Sequence, residues 1–360
     1  MTLLHRFGIY SLIGTISLMP LLVLPAMIGT LVDETALTEA QAGWSASLNF
    51  FGGAAAALFM ALRMHRLDLR RVAILAFAVA ALGDLASAFV GNNATLFLPA
   101  RLFAGVGAGA AYTVAVAAFA RLPDVDRGYG LFVTLQFIVS GLGLYILPVY
   151  SEALGVEVML LSIAALDVAG LALTRFLPGR AIAGPARSGM KTELHVLLAW
   201  ATLLGALGFA IFEAANTAQF TYIERLGVSL ALTDQQIGSA LLIASLAGIP
   251  GAFTIVLLGG RFGRMAPLTF GISLSICGLL ALITGTSFGS YLVGASLLGF
   301  SWAFCLPYIQ GLLAELDPHG SAVAAGAASS TIGGSIGPGL AALVVGASYT
   351  RVFLLAICLL

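Results

Sequence analysis

Long apolar runs broken by short polar turns dominate this chain. A helix needs about 20 mostly apolar residues to cross a bilayer. On that measure the pattern predicts spanning helices over 7–31, 43–61, 72–90, 96–120, 129–150, 157–177, 195–222, 235–258, 266–286, 289–314 and 321–347, with a twelfth starting near 350. The breaks carry turn or charge signals, as in Val32-Asp33-Glu34, Gly91-Asn92-Asn93, Leu122-Pro123-Asp124 and Asp317-Pro318-His319-Gly320. The longest polar stretch runs from Pro178 to Glu193. It predicts a six-helix bundle over 1–177, a linker over 178–194 on the cytoplasmic side and a second six-helix bundle over 195–360. The twelfth segment stops at Leu360, about half the length a crossing needs, so a truncated C-terminus is expected. The first apolar run is too long for a signal peptide and lacks its cleavage site, which predicts a retained helix.

The two sets of six repeat. After the second helix of the first half comes His65-Arg66-Leu67-Asp68-Leu69-Arg70-Arg71; after the second helix of the other half comes Gly260-Arg261-Phe262-Gly263-Arg264. The turn Pro123…Arg127-Gly128-Tyr129-Gly130 is matched by Pro318-His319-Gly320…Gly326. The fifth segment holds Gly141…Pro148, and the eleventh holds Gly333-Gly334-Ser335-Ile336-Gly337-Pro338-Gly339. Parallel six-helix repeats about an axis along the membrane normal are a transporter architecture.

Composition agrees with an all-α integral membrane protein. Apolar residues make up 60% of the chain and charged residues 9%, against about 25% charged in a soluble domain. The 43 glycines suit helices that must approach closely without a hydrophobic force between them. Sixteen basic and sixteen acidic residues balance, which offers nothing to a nucleic acid. With the N-terminus inside, the cytoplasmic side takes Arg6, Arg63, Arg66, Arg70, Arg71, Arg121, Arg127, Arg175, Arg180, Arg187, Lys191, Arg261 and Arg264. Arg225 and Arg351 fall outside and Arg101 lies within a helix, so the positive-inside rule places the N-terminus in the cytoplasm of a cell-membrane protein. Cys277, Cys305 and Cys358 lie in apolar runs without metal-ligand spacing, and His5, His65, His195 and His319 sit at segment ends. No cofactor or metal is expected.

These repeats resemble the major facilitator superfamily. Its loop motif between helices two and three runs G-x-x-x-D-R-x-G-R-R. Arg66, Arg70 and Arg71 match it, with His65 at the Asp position and Asp68 at the Gly position. In the second half Arg261, Gly263 and Arg264 match, with Gly260 at the Asp position. Arg101-Leu102-Phe103-Ala104-Gly105-Val106-Gly107 is similar to the family's R-x-x-x-G-x-G in helix four. The antiporter pattern of helix five is reduced to Gly141, Gly143 and Pro148. The resemblance implies basic loops that latch the inner gate; alternating access between the two bundles and a monomer are the accompanying expectations.

Four charged residues lie at membrane depth: Asp84, Arg101, Asp167 and Glu213. Charges there cost about 2.5–3.5 kcal/mol on insertion scales, so each is expected to face a cavity or find a partner. Glu213 sits mid-segment, and spacings of three, four and seven put Asn216, Thr217 and Phe220 on its face. That stripe is read as a solute and proton-coupling surface; the alternative is a Glu hydrogen-bonded to a neighbouring helix. By resemblance Arg101 binds an anionic group or influences proton release, or else it snorkels to the outer interface. The glycines after it read as a packing face. Asp84 and Asp167 fall on peripheral helices of the resembled fold and read as packing acids. Asn49, Tyr112, Gln136, Tyr145, Trp302, Tyr308 and Gln310 are neutral candidates for the cavity wall, and Pro20, Pro25, Pro250 and Pro307 predict bends.

The functional expectation is a secondary transporter of a small organic or amphipathic solute, coupled to protons, with efflux favoured over uptake. No Walker A sequence supports direct ATP drive. A membrane-embedded enzyme and a non-transporting solute sensor are the alternatives.

Overall fold

In the computed structural model, which describes residues 3–63, 67–119, 122, 125–179, 200–258, 261–316, 321–346 and 348–360, helix makes up most of the described part of every predicted segment. The elements are α1 (Leu3–Ser17), α2 (Met19–Leu22), α3 (Leu24–Glu34), α4 (Glu39–Arg63), α5 (Leu69–Val90), α6 (Ala94–Phe119), α7 (Val125–Leu173) and a 3-10 turn (Thr174–Phe176). After them come α8 (Trp200–Ser229), α9 (Asp234–Leu258), α10 (Met265–Thr284), α11 (Phe288–Leu316), α12 (Ser321–Val344) and α13 (Thr350–Leu359). Among the described residues, nine helical stretches are long and apolar enough to cross a membrane. The outward faces carry Leu75, Leu82, Phe89, Leu257 and Leu343, all exposed, as lipid-facing surfaces require. Of the expected linker over 178–194, residues 180–194 lie outside the described residues.

One expectation is corrected. The segment 7–31 is three helical pieces rather than one, broken at Leu18 (φ −96°, ψ 1°) and Val23 (φ −111°, ψ 15°). Pro20 and Pro25 begin the new pieces, because a proline has no N–H to give and its ring crowds the preceding turn. Beside the second break the Ser140 hydroxyl donates to the Leu22 carbonyl at 2.7 Å. The fifth and sixth segments are two separate helices, as expected; they join without a loop at Gly155 (φ 72°, ψ 163°) and are labelled together as α7. That backbone region is nearly confined to glycine. Glu34, at the end of α3, accepts the Val156 N–H just after the break at 2.5 Å.

The chain forms two compact units, Met1–Gly184 and Pro185–Leu360. In the first, α6 packs between α4 and α5, while α7 packs on α1, α3 and α5. Glycines set the spacing. A Cβ on Gly52 of α4 would overlap the Leu102 carbonyl, and one on Gly105 of α6 would overlap the Asn49 carbonyl. Gly83 and Gly107 let α5 and α6 meet through Ala104 and Ala80 in the same way. The predicted packing role of Gly105, Gly107 and Gly109 is what the helices use. At one end, rings of α1, α6 and α7 interlock, with Phe119 centred 6.0 Å from Tyr10 and 5.3 Å from both Tyr129 and Phe132.

The second unit repeats this pattern. α11 packs on α9 and α10, and α12 packs on α8, as α6 and α7 do in the first. Gly251 of α9 faces the Phe300 carbonyl and Gly299 of α11 faces the Ala244 carbonyl, a reciprocal contact like that of Gly52 and Gly105. Helix starts repeat as well. Before α4, the Thr38 N–H donates to Gln41 Oε1 at 2.9 Å and the Gln41 N–H to Thr38 Oγ1 at 3.2 Å. Before α9, Thr233 and Gln236 make the same two bonds at 3.0 and 3.3 Å. Both are capping boxes, at equivalent positions of the two halves.

Candidate functional site

From Phe212 to Gly227 nearly every residue of α8 is buried, Phe220 alone being half-buried. Such a run needs close neighbours on several sides, and α12 supplies one. A Cβ on Gly333 would overlap the Ala210 carbonyl, and one on Gly337 would overlap Thr217 Oγ1. The Gly-Gly…Gly-Pro-Gly stretch of α12 is therefore the surface that lets α12 lie against α8. Glu213 stands between these two contacts and is 7% exposed. Its Oε2 accepts from the indole Nε1–H of Trp302 on α11 at 3.4 Å, and its carboxylate also accepts from the Ser330 hydroxyl of α12. Three helices meet at this carboxylate. Among the described residues its donors are neutral; no Lys or Arg forms an ion pair with it.

The rest of the predicted stripe is arranged differently. Asn216 Nδ2 donates to the Phe212 carbonyl at 2.8 Å, and the Thr217 hydroxyl donates to the Glu213 carbonyl at 2.8 Å. Short polar side chains in helices satisfy themselves on the preceding turn, so these donors serve α8 itself. Thr217 also lies under Gly337, in the α8–α12 contact. Gln219, one turn further, is buried with its Oε1 unpartnered. Of the neutral candidates, Tyr112 packs its ring 6.1 Å from Phe132, Gln136 is half-buried and Gln310 is exposed. Ser330 and Gln219 escaped the sequence reading. The triplet Ser329-Ser330-Thr331 in a helix of Gly and Ala was the available signal for the first.

The first unit holds a second polar centre. Arg101, 0% exposed, gives its Nη1–H to Asp84 Oδ1 of α5 in an ion pair. Asp167 of α7, on the far side of the break, is hydrogen-bonded to Asp84. Asp84 and Asp167 are 2% and 3% exposed. Expected as separate packing acids, they instead share one cluster with Arg101. Arg101 does not snorkel: its head is inside the unit, and its backbone carbonyl accepts from Asn49 Nδ2 at 2.9 Å. A further buried pair was missed. Arg225 donates to Glu224 through Nε at 2.7 Å and Nη2 at 3.0 Å, both residues lying 5% exposed on α8.

The basic loops divide between structure and surface. Arg66 lies outside the described residues. Asp68, in the place of the family glycine, caps α5 by accepting the Arg71 N–H at 3.0 Å. Arg70, Arg71 and Arg261 are exposed. Gly263 takes φ 66°, which turns the chain so that Arg264 crosses Gly311 of α11. Its Nε–H reaches Glu315 Oε1 at 2.5 Å.

Comparison with known proteins gives a consistent result. The family model described as Major Facilitator Superfamily matches residues 7–342. No curated protein matches this chain in sequence. Among solved structures, the crystal structure of a point mutant of the nucleoside transporter NupG superposes with a TM-score of 0.81 at 14% identity, covering 99% of this chain and 97% of that one. A bacterial homologue of the human lysosomal transporter Spinster, inward-facing and unoccupied, gives 0.67 at 14% identity, covering 95% and 81%.

Proposed function

The chain belongs to the Major Facilitator Superfamily, and from that premise we propose that this multi-pass secondary transporter moves a small organic solute coupled to protons, with Glu213 as the coupling group. The observation that carries the reading is the carboxylate of Glu213, held deep in α8 by Trp302 and Ser330. A carboxyl group held by neutral donors can exchange a proton or meet a cationic part of a solute, and an ionisable residue at membrane depth marks a transport pathway by default. The indole beside it suits a ring-bearing or amphipathic solute. NupG is by its name a nucleoside transporter, so nucleosides head the panel to be tried. The distribution of Lys and Arg supports a cytoplasmic N-terminus in the cell membrane, and the Arg264–Glu315 pair suits a cytoplasmic latch. Efflux is the favoured direction, and the monomer the favoured state. Family membership places transport ahead of the membrane-embedded enzyme; flux separates transport from the sensor.

The test is proton movement in sealed proteoliposomes holding the full-length protein, with a pH-sensitive dye inside and nucleosides and amphipathic organic solutes outside. Solute-dependent proton flux that disappears in Glu213→Gln is the expected result. Flux that survives this substitution removes Glu213 from the mechanism. Solute movement that carries no protons removes the coupling.

A further inference from the structure

We propose that Asp84, Arg101 and Asp167 form a proton-binding site inside the first unit, separate from Glu213 and independent of its role. Two carboxyls and one guanidinium share a space closed to solvent, with exposures of 2%, 3% and 0%. With both carboxyls ionised the cluster carries a net negative charge, and an uncompensated buried charge is strongly unfavourable. With one proton it is neutral. Geometry says where that proton lies. A carboxyl–carboxyl hydrogen bond needs a proton on one partner, and Asp84 already accepts from Arg101. Asp167 is therefore the donor, and its Oδ2 faces no hydrogen-bond partner.

The guanidinium has donors in reserve. Its Nη1 serves Asp84, while Nε and Nη2 are buried without a partner. A buried donor left unsatisfied costs about 1–3 kcal/mol, so these N–H groups mark a second arrangement of the same residues. When the proton leaves for bulk water, the Asp167 carboxylate gives up its bond to Asp84 and takes one from Nε or Nη2. The three residues come from α5, α6 and α7, so the proton decides whether α7 is tied to α5 or to α6. Within the cluster, Asp84 and Arg101 are the charged groups that act on Asp167. The neighbouring helices α1 and α4 carry their charges at their ends, at His5, Arg6, Glu39 and Arg63. α3, packed on α7, ends in Asp33 and Glu34, α5 begins with Arg70 and Arg71, and α7 carries Glu157 just after its break; Arg175, in the 3-10 turn after α7, lies over the Phe176 ring at 4.6 Å.

Infrared difference spectroscopy of the full-length protein in lipid, in light and heavy water, tests this directly. At neutral pH the wild type is expected to show the C=O stretch of a protonated carboxyl that shifts in heavy water. Asp167→Asn should remove it, and Glu213→Gln should leave this component in place. Asp84→Asn should remove it too, because Arg101 then has one carboxylate to pair with and no proton is needed; this variant also carries the test if Asp167→Asn does not fold. A spectrum without such a band, or a band unchanged in both Asp variants, overturns the proposal. A band lost wholly in Glu213→Gln assigns the proton to α8 and overturns it as well.

Discussion

The indole N–H of Trp302 and the carboxylate of Glu213 meet at 3.4 Å across the contact of α11 with α8. This bond, with that from Ser330, fixes the carboxylate against two neighbouring helices. Trp302→Phe keeps a ring but removes the donor. A hydrogen bond to a charged group contributes about 1.5–3 kcal/mol, so solute affinity is expected to weaken by roughly tenfold or more. Binding to the purified protein checks this. Ser330→Ala should act in the same direction, and affinities unchanged in both variants would separate these donors from solute recognition.

Gly333 and Gly337 hold α12 against α8 through the backbone of Ala210 and the Ala214–Thr217 turn. Side chains there must push the helices apart, and overpacking of this kind costs about 1–3 kcal/mol. Gly333→Val and Gly337→Val are therefore expected to lower the melting temperature in detergent. Gly208, on α8, has nothing near its missing Cβ. Gly208→Ala should be neutral, or stabilising by up to about 1 kcal/mol through helix propensity.

Gly155 breaks α7 at φ 72° and ψ 163°, and the N–H that follows is taken by Glu34. Gly155→Ala forces a side chain into a nearly glycine-only region, at about 1–3 kcal/mol. Glu34→Gln keeps an acceptor but loses the charge, so a smaller loss, about 1 kcal/mol, is expected. Thermal melts of both variants order the two effects; a larger loss for Glu34→Gln would reverse the reading.

Arg264 and Glu315 are partly exposed, and an exposed ion pair adds about 0–1 kcal/mol to stability. Glu315→Gln is expected to leave the melting temperature within a degree or two of wild type while changing transport rate. A double-mutant cycle with Arg264→Gln on the rate should show coupling between the pair. Additive effects would reduce it to a surface contact.

Much of the fold was legible along the chain because lipid imposes a length and a composition on any crossing helix. The breaks were harder. Pro20 and Pro25 announced a bend, yet a complete division of the first segment depends on where the freed backbone groups find partners, as with Leu22 and Ser140. The capping boxes at Thr38-Glu39-Ala40-Gln41 and Thr233-Asp234-Gln235-Gln236 were readable as local patterns, and they record the repeat as clearly as the basic loops do.

The chemistry divides in the same way. Hydropathy and the cost of charge in hydrocarbon single out Glu213, Arg101, Asp84 and Asp167 one by one, because each violates its own local surroundings. Which of them meet is decided by helix packing, since the partners lie 17 residues apart for Asp84 and Arg101 and 89 apart for Glu213 and Trp302. Periodicity put Asn216 and Thr217 beside Glu213 on one face, but it carries no information on whether a hydroxyl or amide turns outward or back to its own helix. The sequence alone determined an all-α membrane protein of two repeated halves, through lipid solvation and local propensity. The tertiary structure decided the Glu213–Trp302–Ser330 and Asp84–Arg101–Asp167 centres, because side-chain partners across helices depend on rotation and close approach that glycine contacts set.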